Sequence, residues 1–171
     1  MAGRTVPKHV RVYADGYDFS GYSRTIGPLE WVYEEADLTA QMGDAAKGFF
    51  PNLASVKLGT LNTVLDNTPT SGPHIVLKIV EASRIVMVPI GIQAAPASGD
   101  PVFMGQFVQL GYTGEIVDKS VYANAPFGEW DVANEIAFDK PWGKLVHPKG
   151  AETGANTGTS DVDNGGASAA G

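Results

Sequence analysis

Cysteine is absent from this chain of 171 residues, so disulfides and thiolate metal sites are excluded and redox chemistry leaves no mark of a compartment. Charge is sparse as well: 12 Lys and Arg stand against 19 Asp and Glu, a formal net charge of -7. That balance argues against a protein that grips nucleic-acid phosphates, which takes clustered cations, although DNA sliding past an acidic surface is still allowed. Long apolar runs are missing too. The longest, within Arg84 to Ile92, is strand-sized and broken by Pro89, well short of the ~20 residues that span a bilayer. Met1 to Val10 is polar, is broken by Pro7 and lacks the apolar centre of a secretory signal. There is no Gly-Xaa-Ser-Xaa-Gly elbow, no phosphate-binding Gly-Lys-Ser/Thr loop and no internal repeat. The chain reads as soluble and assembled, with no membrane partner.

What is present is mostly β-type text. Arg11 to Ala14 and Tyr17 to Tyr22 set aromatic and β-branched residues around an Asp15-Gly16 turn. Leu29, Trp31 and Tyr33 then alternate with Glu30, Val32 and Glu34, which predicts one apolar and one wet strand face. Gly43 to Pro51 interrupts the alternation: Asp44 can cap a short helical turn and Pro51 stops it. A strand is expected over Ala54 to Asn62. Ser71 stands ahead of Gly72-Pro73 as a cap, and Ile75, Val76, Ile79, Val80 and Ala82 approximate a helical stripe, so a short helix is the preferred reading over a strand. Strand resumes at Arg84 to Ile92, and Ala95 to Pro101 is a connection. Val102 to Thr113 reads as one long strand bulged at Gly105 and turned by Gly114, whereas Asn124 to Gly128 has the composition of a loop. The fold class expected is mainly β: a β-sandwich or small β-barrel with one short flanking α-helix and extended termini.

At this length the chain suits one domain that buries about two thirds of its unfolded surface. Residues 1–149 form that domain; holding all 12 cations and 16 of the 19 acids, it has a net charge of -4. Residues 150–171 contain no aromatic residue, no Leu or Ile and one Val, too little apolar area to offset ordering entropy. They read as a Gly- and Ala-rich tail or linker, held by partner subunits or leading to a further domain.

Candidate chemistry is thin. His9, His74 and His147 are far apart and none has a second ligand at metal spacing. Asp161 to Gly165 has part of a calcium-loop pattern without its later bidentate Glu, and the same residues suit any turn. Glu30, Glu34, Glu35 and Asp37 invite comparison with paired catalytic carboxylates, but alternation puts Glu30 and Glu34 on one side of a strand, where a solvated face is the simpler account. Trp31, Trp130 and Trp142 with Tyr17, Tyr22 and Tyr33 either stack on sugars or fill a core and subunit contacts, and the latter is favoured. No catalytic residue, metal site or cofactor is expected.

One resemblance points further. Asp18, Ser20 and Gly21, then Glu34, Glu35, Asp37 and Thr39, then Gly43-Asp44, then Lys47, Gly48, Phe50 and Pro51, then Ser55 to Leu61, and later Gly99-Asp100-Pro101-Val102-Phe103 follow one another in an order that resembles the amino-terminal part of bacteriophage tail tube proteins, over residues 10–115. The resemblance implies a virion structural protein assembled in the host cytoplasm, a β-sandwich with a flanking helix, hexameric rings stacked into a tube, and an acidic lumen through which DNA passes without specific binding. Its partners would be copies of itself and other virion proteins. Such a tube needs an edge strand or hairpin that pairs with its neighbour, and the Gly16 hairpin and the Ala54 to Asn62 strand are candidates. Gly43 to Asn52 would be a contact loop, with Asp44, Lys47 and Pro51 around the anchors Phe49 and Phe50, while Glu30, Glu34, Glu35 and Asp37 would face the lumen or solvent. A capsid decoration or cement protein is the second virion reading. A carbohydrate-binding adhesion module is the reading from another class.

Overall fold

Turn residues cut the β-rich text into short pieces, and the computed structural model, which describes residues 5–37, 49–69, 72–130, 141–148, 160–163 and 168–170, forms strands from most of them. In chain order these are β1 (Tyr13–Ala14), β2 (Tyr17–Asp18), β3 (Ser23–Gly27), β4 (Glu30–Asp37), β5 (Phe49–Lys57), β6 (Thr60–Val64), helix α1 (Pro73–Leu77), β7 (Ser83–Pro89), β8 (Pro101–Gln109), β9 (Thr113–Val117), β10 (Ser120–Trp130), β11 (Trp142–Pro148), β12 (Ser160–Asp163) and β13 (Ser168–Ala170). A 3-10 turn, Pro7–His9, precedes them. The fold is mainly β with one short helix, as the sequence predicts, and every strand pairing is antiparallel.

β10 organises the sandwich by belonging to both layers. Its first half pairs with β9 and β6, and β3 extends that layer beyond β6. From Phe127 onward it pairs with β8, which carries β7 and then β1 on its other side. A strand that changes sheets makes a corner of a sandwich. The change falls at Pro126-Phe127, where a residue without an N–H leaves the least ladder to break. Asn124 to Gly128 is therefore strand and not the loop that its composition suggests, because partners on both sides override local preference.

β5 and β6 lie along β10 as one bent strand. Lys57 pairs with Glu129 and Thr60 with Pro126, and between them Phe127 N–H donates to Gly59 O at 2.9 Å. The strand expected over Ala54 to Asn62 is thus found, begun earlier at Phe49 and bent at Gly59. Gly59 has φ +76°, and a Cβ there would stand 2.2 Å from Gly27 O, so only glycine fits where the two chains cross.

Two other expectations shift. Val102 to Thr113 ends as a strand at Gln109, with Thr113 and Gly114 already in β9; Leu110 N–H leaves the β7 ladder to bond Pro126 O at 2.8 Å. No bulge occurs at Gly105, which pairs with Val86 in an unbroken register. The Asp15-Gly16 turn is as predicted, with φ of 51° and 81° between the paired residues Ala14 and Tyr17, the geometry of a tight hairpin. α1 starts at Pro73 with Gly72 as its cap residue; Ser71 lies outside the described residues, and Pro73 and Leu77 rather than the expected Ile79 and Val80 are buried.

The core sits between the layers. Phe19, Leu58, Leu61, Leu77, Phe103 and Phe107 are fully buried in one cluster, and the Phe103 and Phe107 rings stack with centroids 6.0 Å apart. In the tail segment, β12 pairs with β11 and β13 with β12.

Candidate functional site

A buried Arg fixes the helix to the sheet. Arg84, 5% exposed, donates to Asp15 Oδ2 at 2.7 Å, to Gln109 Oε1 at 2.6 Å and to the carbonyls of Val76 and Ile79 at 2.5 and 3.0 Å. Gln109 in turn donates to Leu77 O at 2.6 Å. The Arg84 cation therefore satisfies carbonyls at and just beyond the end of α1 that the helix itself leaves open. Asp15 Oδ1 also accepts Ile85 N–H, so one turn residue ties the β1–β2 hairpin to β7. Every strong donor in this network has an acceptor, which is the pattern of a structural lock.

The β4–β5 hairpin is the opposite case. It leaves the sandwich at Glu30, Lys57 and Glu129, where Glu30 and Glu129 both pair with Lys57. At that base Leu29 and Trp31 are half-buried against the core. Beyond it, β4 has solvent on both faces: Val32 is 56% and Tyr33 48% exposed, and Glu34, Glu35 and Asp37 are exposed. The alternation that predicts one apolar and one wet face therefore holds only as far as Trp31. Pro51 is exposed and pairs with Glu35 at a register shift, where the lack of an N–H is tolerated. Phe49, Phe50 and Pro51 belong to strand β5, not to a loop, opposite Asp37, Ala36 and Glu35. Asp44 and Lys47, with Thr39, lie outside the described residues.

A second exposed apolar surface lies on β9 and its neighbours. All five residues of β9 are exposed, with Ile116 at 80%. Val117, Val121 and Val64 are exposed beside it in the same layer. Elsewhere, the Trp31 and Tyr33 rings are tilted by 49° to each other, and Trp142 meets Phe103 edge-on.

One groove has a uniform charge. About 680 Å³ in volume, it runs between the segment from Thr5 to Val12 and strand β3, with Val88 and Ile90 at its floor. Lys8, Arg11 and Arg24 line it, and no acid does among the described residues. The Arg11 guanidinium donates to Ala94 O, and the Arg24 guanidinium lies 4.1 Å from the Tyr122 ring centroid. Neither forms an ion pair among the described residues. Sequence reading misses this groove because two separate segments build it, although Lys8, Arg11 and Arg24 all fall in the first 24 residues. Near it, burial pushes the Tyr13 hydroxyl above its ordinary pKa; Asp18 adds to the rise and Arg11 opposes it.

His74 Nδ1 lies 3.1 Å from the Tyr112 hydroxyl, and burial raises the pKa of that phenol. Of the calcium-like stretch, Asp161 to Asp163 is in β12, and Asn164 and Gly165 lie outside the described residues.

These features define a β-sandwich with a projecting two-stranded ribbon. No protein-family model matches the chain, and no curated protein does. Among solved structures it is similar to a chain in the 6-fold symmetrised cryo-EM structure of the anti-feeding prophage (AFP) baseplate, at a TM-score of 0.51 and 10% identity, over 77% of this chain and 95% of that one. At that identity the likeness is one of fold.

Proposed function

We propose that this protein is a phage virion structural protein with no enzymatic role, and within that class a tail tube subunit that assembles into hexameric rings stacked around a DNA path. The observation that carries the reading is the projecting β4–β5 ribbon, whose strand β4 is exposed on both faces past Trp31 and bears Val32 and Tyr33 in solvent. A lone two-stranded hairpin is marginal in water, and a flat exposed edge invites pairing with another chain. Such a ribbon makes sense where neighbouring copies cover it. Fold likeness to a chain of a sixfold phage-type assembly supports the same reading, as does the order of motifs from Asp18 to Phe103.

In this reading Phe49, Phe50 and Pro51, at the end of the ribbon far from the sandwich, meet the adjacent ring together with Asp44 and Lys47. The chain's net charge of -7 lets DNA pass without being gripped, and Glu30, Glu34, Glu35 and Asp37 give the ribbon an acidic edge. The test is negative-stain microscopy with sedimentation velocity up to the solubility limit, in sulfate salts that favour apolar burial. Sixfold rings or tubes are expected. Trimers or dimers that bind only a capsid shell would move the protein to the decoration class, and a protein that stays monomeric throughout would overturn the reading.

A further inference from the structure

We infer that the cationic groove between the Thr5–Val12 segment and β3 is the receptor for the acidic ribbon strand β4 of a second copy of this chain. The inference rests on the self-assembly reading above and adds which two surfaces meet. Ser23, Arg24, Thr25 and Ile26, four consecutive residues of β3, all line the groove. Successive side chains of a strand point to opposite faces, so a surface that touches four in a row runs along the strand's edge. β3 has β6 on one side and, among the described residues, no strand on the other. The groove therefore offers an open sheet edge, Lys8, Arg11 and Arg24 around it, and an apolar floor at Val88 and Ile90.

β4 has the complementary character. It too is an edge strand, paired among the described residues with β5 alone. Along it Glu30, Glu34 and Glu35 are exposed acids and Val32 and Tyr33 exposed apolar residues. Only two ion pairs occur among the described residues, Lys57–Glu129 and Arg84–Asp15, so neither the groove's cations nor these three acids are neutralised within the chain by such pairs. An extended strand added to an open edge gains main-chain hydrogen bonds, and charges of opposite sign set its register and speed its approach. Within one chain β4 runs on from β3 along the same bent neighbour, with Gly27 opposite Thr60 and Glu30 opposite Lys57, so β4 extends away from the β3 edge of its own molecule and does not lie along it. A second copy supplies it.

The test is charge reversal, read by sedimentation velocity and microscopy, with circular dichroism and thermal melts to confirm folding. Lys8→Glu with Arg24→Glu, and separately Glu30→Lys with Glu34→Lys and Glu35→Lys, should each raise the concentration for half-assembly by about tenfold or more. All five substitutions in one chain should restore assembly, which a general loss of stability would not do. Added sodium chloride should weaken wild-type assembly through screening. Wild-type assembly that survives both sets of reversals overturns this inference and leaves the self-assembly reading intact. Loss of assembly that the combined variant does not recover also overturns it, as does a groove whose reversal changes only the binding of a labelled oligonucleotide. A wild type that never assembles overturns both.

Discussion

Strand β8 and strand β4 are nearly equal in length and differ in almost everything that holds them. β8 lies between β7 on one side and β10 with β11 on the other, and its residues Val102 to Gly105, Phe107 and Gln109 are buried. β4 has one partner among the described residues, no buried residue, and solvent against both faces past Trp31. The first is stabilised by its own chain, through apolar area removed from water and a full ladder. The second shows apolar and acidic groups that no described part of its own chain covers. The contrast separates what folds this molecule from what remains available for a neighbour.

The largest effect that would sharpen this contrast is expected in the body. Phe107 is fully buried and stacked on Phe103, so Phe107→Ala removes a large side chain from a packed site and should lower stability by about 3–5 kcal/mol. Chemical denaturation followed by circular dichroism would measure it, and a loss below about 1 kcal/mol would show that the core is not where the burial places it. Next is the lock at Arg84. Arg84→Met keeps much of the stem but leaves Asp15, Gln109 Oε1 and the Val76 and Ile79 carbonyls without their donor, and should destabilise by about 3 kcal/mol. Hydrogen exchange adds a positional check, because Lys78 N–H and Ile85 N–H, which bond His74 O and Asp15 Oδ1, should lose protection first.

Much of the body was legible because its signals are local. The Asp15-Gly16 turn requires positive φ at both central residues, a demand that Asp and Gly meet together, and Pro73 suits a first helical position. Misreadings came where distant partners decide. Asn124 to Gly128 has loop composition, yet β6 and β8 hold it as the corner strand. Leu110 to Tyr112 continues an apolar pattern, yet the chain there turns towards β9. Arg84 sits in an apolar run, and nothing local announces that its charge is satisfied by Asp15, 69 positions away. The candidate assembly surfaces were half legible: the acids of β4 stand in one short stretch, whereas the groove joins residues from two segments that only the fold brings together.

The smallest expected effect is the one that tests the contrast most directly. Val32→Ser with Tyr33→Ser removes two exposed side chains from β4, and since the Tyr33 ring meets Trp31 at the ribbon's base, monomer stability should fall by about 1 kcal/mol or less. Assembly should nonetheless be lost or shifted to much higher concentration, because these are the apolar groups that a neighbouring copy would cover. Denaturant titration of the monomer and sedimentation of the same preparation give both numbers. A marked loss of monomer stability would mean that the ribbon folds back on its own sandwich, and unchanged assembly would mean that another surface, such as Ile116 and Val117 on β9, makes the contact. Only the combination of little-changed stability and lost assembly keeps β8 as the strand that folds the chain and β4 as the strand that joins it to the next.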